Sequence, residues 1–246
     1  MEQLNLNEIN DIKKFFKDIR FYMGNSVLEG MLGKAYVDSR KETNIAILSL
    51  INKYCFISGD INEDKLKEII DENFINYTLI PSDNISEKIE KIYKGKLIKS
   101  QRYSIKKNPK FDIIKLKNYI SQINSKYEIL KIDETLADRI KQENFITITE
   151  DYAKYGVGFC CLYEDKIIGV ASSNIIYKDG IEVNIKVQEN FRKQGISTAL
   201  AASLILECIN IGKKVSWDAA NKISVRLAEK LGFEYDSAYN VYNLVK

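Results

Sequence analysis

Two hydrophobic periods alternate along the chain. Ile9, Ile12, Phe15, Phe16 and Ile19 recur at three- and four-residue spacing and predict an amphipathic helix over residues 7–21. A second short helix is expected at 27–31. Apolar positions then alternate with period two through 35–38, 45–51 and 54–58, which predicts three strands. A helix (62–73), a strand (77–80), a helix (85–93) and a strand (97–105) follow. Pro109, in KKNPKFD, punctuates the chain, and Ile113, Ile114, Leu116, Tyr119, Ile120 and Ile123 predict a helix over 111–124 that closes the first half. The second half reads as a strand (127–132), helices (134–142 and 150–154) and a hairpin (158–163 and 166–176) turning at Glu164 and Asp165. After it come a strand (181–187), a helix (195–210), a strand (214–217), a helix (222–231) and two last strands (233–235 and 239–245). The order is α+β, an antiparallel meander joined to a βαβ crossover, with two domains expected at residues 1–125 and 126–246.

Composition narrows the chemistry. A length of 246 residues suits one large domain or two small ones, and 45% hydrophobic with 29% charged residues excludes wholesale disorder. The chain has no histidine. That removes Ser-His-Asp and Cys-His machinery, HExxH zinc sites and any base titrating near neutrality, leaving proton transfer to carboxylates, tyrosines, lysines, thiols or water. Cys55, Cys160, Cys161 and Cys208 form no CxxC, so no metal site is expected, and they read as buried, reduced thiols of a cytoplasmic protein. Polar residues interrupt the first sixteen positions, and no apolar run approaches the ~20 residues of a membrane span, so neither a secretory leader nor a membrane anchor is expected. Net charge is +3, with the basic excess in residues 88–117, where eleven Lys and Arg face only Glu90 and Asp112. Solvated faces account for that stretch better than a nucleic-acid footprint, because its aromatics form no stacking platform. Nucleic acid is not an expected partner.

The chemistry concentrates between residues 181 and 198. Ile181, Val183, Ile185 and Val187 alternate with Glu182, Asn184 and Lys186 on a strand that runs through a short loop into a long helix. The loop ends Arg192-Lys193-Gln194-Gly195-Ile196-Ser197. A helix start offers free N–H groups and a positive dipole end, the glycine permits close backbone approach, and two cations stand beside it; together they suit a phosphate.

These residues, with Val187 five positions before Arg192 and the later Asn221-x-x-Ser224-x-x-Leu227-Ala228-Glu229-Lys230-Leu231-Gly232-Phe233, resemble the GNAT superfamily of acyl-CoA-dependent N-acetyltransferases over roughly residues 127–246. Shorter matches (YVDS, CFISGD, RYSIKKN, GIEVNI, SWDAAN) look like a bacterial branch with an extra N-terminal domain. The resemblance implies a C-terminal GNAT-like mixed sheet flanked by helices, with acetyl-CoA as cosubstrate. It implies a pyrophosphate held by backbone N–H groups of Lys193, Gly195, Ile196, Ser197 and Thr198 beside Arg192, and a pantetheine arm pairing with main chain near Ile185 and Val187. Ser197 stands where such enzymes usually have Gly or Ala. Asn221 and Ser224, one helical turn apart, are expected to face the cofactor arm, although Asn221 or Asp218 equally suits an N-cap. Many members carry a tyrosine where this chain has Ala228.

An amine nucleophile must lose a proton, and a desolvated carboxylate can take it. Glu182 is the candidate base, with a salt-bridged strand residue as the alternative. Tyr239 and Tyr242 are candidates for the acid, Tyr239 first. Cys160 and Cys161, in GFCCLY, have no cationic neighbour in sequence and read as core thiols. The element order from Ala35 repeats that from Gly158, which makes the first half a candidate degenerate GNAT-like copy. Its counterpart of the phosphate loop, Gly59-Asp60-Ile61-Asn62, is followed by Glu63 and Asp64 and should repel a pyrophosphate. The function expected is acetyl transfer from acetyl-CoA to an amine of a small molecule or peptide, by a monomer or homodimer. A non-catalytic acyl-CoA-binding or partner-binding module is the alternative.

Overall fold

Side chains that close a helix's first turn mark four helix starts in the computed structural model, which describes residues 1–17, 23–147 and 152–245 of the chain. Asn62, Asp112, Asp133 and Asn221 each accept a hydrogen bond from the backbone N–H three residues on. In chain order the elements are β1 (Glu2–Gln3), α1 (Ile9–Ile12) followed by a 3-10 turn (Lys13–Phe16), α2 (Met23–Leu28), β2 (Lys34–Val37), β3 (Ile45–Ser49), β4 (Tyr54–Gly59), α3 (Glu63–Asn73), β5 (Thr78–Pro81), α4 (Asp83–Ile92) and β6 (Leu97–Ile105). Then follow α5 (Ile113–Ser121), β7 (Glu128–Lys131), α6 (Glu134–Gln142), α7 (Tyr152–Tyr155), β8 (Gly158–Tyr163), β9 (Lys166–Tyr177), β10 (Gly180–Val187), α8 (Ile196–Asn210), β11 (Lys214–Ser216), β12 (Asp218–Ala219), α9 (Lys222–Leu231) and β13 (Tyr235–Leu244).

Two differences from the expected elements have local causes. The first helix is a single α-turn passing into a 3-10 turn, and Glu8 supplies no side-chain cap; the rest of the expected span, with Ile19, lies outside the described residues. Residues 150 and 151 of the expected helix at 150–154 also lie outside them, and α7 begins at Tyr152. The two last strands are one, because the polar break is satisfied inside it: Ser104 Oγ donates to the Asp236 carboxylate at 2.9 Å and lies 3.0 Å from Ser237 Oγ.

Contacts divide the chain into two compact units, Met1–Arg102 with Ala238–Lys246, and Tyr103–Ser237. This differs from the boundary expected near residue 125. Helix α5 buries Leu116 in the second unit's core, in one cluster with Leu200 and Leu204 of α8, and so belongs there.

In the first unit the strand order is β1-β2-β3-β4-β5-β13-β6. Strands β2, β3 and β4 are antiparallel, and α3 carries the chain over to β5, which pairs parallel with β4. Its core gathers Ile45, Ile47, Ile57, Leu66, Ile70 and Leu79. In the second unit a five-stranded sheet runs β11-β10-β9-β8-β7, antiparallel except for the parallel pair β10–β11 joined through α8. Helix α8, its residues 198–205 all buried, lies close against this sheet. The approach depends on Gly169, where a Cβ would come within 2.9 Å of Leu200 Cδ1. The opposite face of the sheet is covered by Ala137 and Ile140 of α6 and by Phe145, Ile146 and Tyr152. Among the described residues no helix is long and apolar enough to cross a membrane.

Candidate functional site

The parallel pair at the edge of the second unit's sheet comes apart early. Strand β11 pairs with Gly180, Ile181 and Glu182 and then stops; after Ser216 the chain leaves β10, and Asp218 and Ala219 pair instead with Ser104 and Tyr103. Strand β10 runs on to Val187. Lys214 N donates to the Asp179 carbonyl at 2.7 Å, so strand alternation turns the main-chain groups of Val183, Ile185 and Val187 toward the vacated edge. Arg192 Nε reaches the Val187 carbonyl there at 3.4 Å.

Beside this edge stands the start of α8. Gly195 occupies its N-cap with φ +83°, in the left-handed region, and no side chain caps the helix. Lys193 is also left-handed, at φ +63°. The first helical bond runs from Ala199 N to the Gly195 carbonyl at 3.0 Å, so the N–H groups of Ile196, Ser197 and Thr198 carry no intrahelical partner. A Cβ on Gly195 would meet nothing within 4 Å. The loop is held from behind: Tyr127 donates its hydroxyl to Gln194 Oε1, and Gln194 Nε2 donates to the Asn190 carbonyl at 3.3 Å. Arg192 is exposed and pairs with Glu189 at 2.9 Å. Lys230 of α9 adds a third cation, its Nζ 3.4 Å from Thr198 Oγ1 and 4.8 Å from the Tyr119 ring centroid. In the sequence Lys230 belongs only to a helix motif; its reach to α8 depends on the packing of two helices.

Asn221 and Ser224 sit one turn apart as expected, with their polar atoms engaged. Asn221 Oδ1 caps α9 by accepting from Ser224 N at 3.0 Å, and Ser224 Oγ accepts from Trp217 Nε1 at 2.9 Å. Ala228 is wholly buried in the second unit's core.

Glu182 lies at the point of divergence and is only 5% exposed. The β9–β10 ladder shifts register between Glu182 and Val183. Ser216 Oγ lies 2.5 Å from Glu182 Oε2 and 2.9 Å from the Ile181 carbonyl oxygen. One hydroxyl hydrogen cannot serve both acceptors at once. With Ser216 donating to the carbonyl, the contact to Glu182 Oε2 is one that a protonated carboxyl completes. Ser216 was not singled out in the sequence, since its partner lies on another strand.

Tyr239 belongs to the first unit. There it lines a cavity of about 580 Å³ with Phe15, Phe56, Asp83 and Glu90. Tyr242 is buried and donates to Glu90 Oε1 at 2.6 Å; burial first, then this bond, raises its phenol above the usual range. Burial raises all four thiols, Cys160 to about 11, Cys161 and Cys208 to about 12 and Cys55 well above its ordinary value, as expected of core residues.

A mixed sheet whose parallel pair diverges beside a glycine-led, uncapped helix start defines an N-acetyltransferase-type fold. The chain belongs to the GNAT acetyltransferase family, whose model matches residues 13–242 and so takes in both units. It is 28% identical over 102 residues to the uncharacterized N-acetyltransferase YdfB of Bacillus subtilis (strain 168); the match covers 41% of this chain and 39% of that one. A crystal structure of a GCN5-related N-acetyltransferase-like protein from Streptococcus suis 89/1591 is 29% identical, with a TM-score of 0.88 over 97% of this chain and 98% of that one. A GCN5-related N-acetyltransferase from Kribbella flavida shares the fold at 10% identity, with a TM-score of 0.55 over 81% of this chain and 85% of that one.

Proposed function

We propose that the protein transfers an acetyl group from acetyl-CoA to an amine of a small molecule or peptide by direct attack, in the cytoplasm. The observation that carries this reading is the coincidence of the vacated β10 edge with the uncapped start of α8. A diphosphate suits the N–H groups of Ile196, Ser197 and Thr198 flanked by Arg192, Lys193 and Lys230, and open space at Gly195 allows it to approach. An arm with two amides suits the main chain of Ile185 and Val187, as an added strand would. Asn221 and Ser224 shape the far wall.

The thioester carbonyl then lies near Glu182. The amine nitrogen forms a bond to the acyl carbon, the carbon–sulfur bond breaks, and the proton leaving nitrogen passes to Glu182, whose contact to Ser216 accommodates it. The departing thiolate takes up a proton from water. The protein's main contribution is orientation, because the donor already carries an activated acyl group.

The test is thiol release from acetyl-CoA with a panel of amines. Parent protein should release thiol, and Arg192→Glu should weaken acetyl-CoA binding by calorimetry. Glu182→Gln should lower turnover at least ~100-fold and flatten the acid limb of the pH profile; an unaltered profile places the base elsewhere. Buried Ala228, which leaves the usual tyrosine position vacant, favours one other reading, a non-catalytic acyl-CoA-binding module. Acetyl-CoA binding without thiol release across the panel would select it.

A further inference from the structure

Hydrogen-bond donors without partners lie on the sheet face that carries Glu182. Glu182, Asn184 and Lys186 share that face of β10. Asn184 stands opposite Ser172 of β9, and Ser172 opposite Gly158 of β8, so the three positions form a row across the sheet. Gly158 has no side chain, and a Cβ built there would collide with both the Tyr152 hydroxyl and Ser172 Cβ; the two side chains press on one spot. Ser172 is 0% and Tyr152 4% exposed, and neither hydroxyl has a hydrogen-bond partner among the described residues. Buried hydroxyls in folded proteins are nearly always paired. Two unpaired ones beside Asn184 point to a polar group supplied from outside the chain.

Farther along the same face the site turns cationic. An open cavity of about 660 Å³ is lined by Asn184 and Lys186 on one side and by Lys141, Asn144 and Phe145 on the other. Lys186 Nζ donates to the Phe145 carbonyl at 2.7 Å and lies 5.2 Å from the ring centroid, which fixes the ammonium while leaving it further donors. Among the described residues, Lys141 makes a loose 3.8 Å contact with Asp138. The described residues that line this cavity include no carboxylate.

We infer that the acceptor is a hydrophilic amine carrying an oxyanion, a carboxylate or a phosphate. Its nitrogen lies at Glu182, its polar middle at Asn184, Ser172 and Tyr152, and its anion at Lys186 and Lys141. This rests on the acetyltransferase reading above. Glu182 and Lys186 are four positions apart, about 13 Å along the strand at ~3.3 Å per residue, and the reach of the two side chains toward each other shortens the span between amine and anion. Burial raises the Tyr152 phenol, which keeps it a donor.

The experiment measures thiol release by the full-length protein with acetyl-CoA and four acceptors of matched length: 6-aminohexanoate, 5-aminopentyl phosphate, 5-aminopentanol and 1,5-diaminopentane. At least one anionic acceptor should exceed the alcohol by ~10-fold or more in kcat/KM, as a charge-assisted hydrogen bond provides, and the diamine should be poorest. Comparing the two anions tells carboxylate from phosphate. Lys186→Gln should shrink the anion-to-alcohol ratio about tenfold, mainly through KM. Ser172→Ala should raise KM without lowering the melting temperature. Equal rates for all four amines would overturn the inference and leave the acetyltransferase reading standing; an unchanged KM in Ser172→Ala would remove the buried hydroxyls from it. If acetyl-CoA binds without turnover, the same acceptors are titrated into the loaded protein, and lack of anion preference there overturns the inference. Absence of both acetyl-CoA binding and thiol release overturns the reading beneath it.

Discussion

Gly195 offers the sharpest test of the donor site, because conformation and charge can be separated there. Its φ of +83° lies where a side chain costs about 1 kcal/mol, yet a Cβ would meet nothing within 4 Å, so substitution brings strain without collision. Gly195→Ala should therefore lose about 1 kcal/mol of stability and, by filling the space a phosphate enters, weaken acetyl-CoA binding by less than ~10-fold. Gly195→Asp carries a similar backbone cost, offset in part by ~0.3–1 kcal/mol from a carboxylate at a helix N-terminus. Its effect on the ligand is much larger. At ~6 Å and an effective dielectric of ~20, each pair of like unit charges costs about 2.8 kcal/mol, and two phosphates double that before screening. Allowing salt and solvent to halve the sum leaves about 3 kcal/mol, or ~100-fold in Kd. The assay is calorimetry with acetyl-CoA alongside thermal denaturation. Acetyl-pantetheine, which lacks the diphosphate, serves as control donor, and its kcat/KM should change less than ~3-fold in the Asp variant. Equal Kd values for the Ala and Asp variants would refute the assignment of the α8 start to an anion.

Other predictions follow from single contacts. Lys230→Met should raise the Kd for acetyl-CoA roughly 5- to 10-fold while sparing acetyl-pantetheine, because its ammonium stands 3.4 Å from Thr198 Oγ1 at the same helix start. Ala228→Tyr should lower the melting temperature sharply, since Ala228 is fully buried and overpacking costs about 1–3 kcal/mol or more; a stable, more active variant would show that the site had room for the missing tyrosine. The four thiols should stay silent to a thiol reagent at pH 8 in the native protein and all react after unfolding. Their raised folded values mean the native state holds protons that the unfolded chain has lost. The thiol contribution to stability is therefore complete below about pH 8.5 and declines as pH rises toward about 11, and the melting temperature should fall across that window.

Local signals survived folding where the chain makes its own decisions. Helices Glu134–Gln142 and Lys222–Leu231 and strand Leu97–Ile105 occur at the residues their patterns mark, because capping and alternation act within a few positions. Asn221 was legible as a cap for the same reason. Lys230 near Thr198, Ser216 on Glu182, and the unpaired hydroxyls of Tyr152 and Ser172 depend on residues brought together from separate elements, and no spacing announces them. The unit boundary escaped for that reason too. Pro109 is a real break in pattern, but α5 packs on a helix some eighty positions later, and chain-local punctuation carries no record of that partner.

The first unit shows what makes the second one's site. It too has three antiparallel strands and then a parallel partner reached through a helix, with α3 and β5 standing where α8 and β11 stand. Its parallel pair stays closed, however: pairing runs from Tyr54 to Ile57, and Ser82 N still donates to the Ile57 carbonyl at 2.8 Å, so no comparable edge is released. Its helix start is also occupied from within. Asn62 Oδ1 caps Lys65 N at 2.9 Å, Glu63 and Asp64 fill the first turn, and the preceding Asp60 binds Lys88. The helix dipole in the first unit is answered by the chain's own acidic groups, whereas at Gly195 no side chain caps it. A shared strand order thus puts a helix start after a strand pair in both halves, and a side chain caps that start in the first half and not in the second.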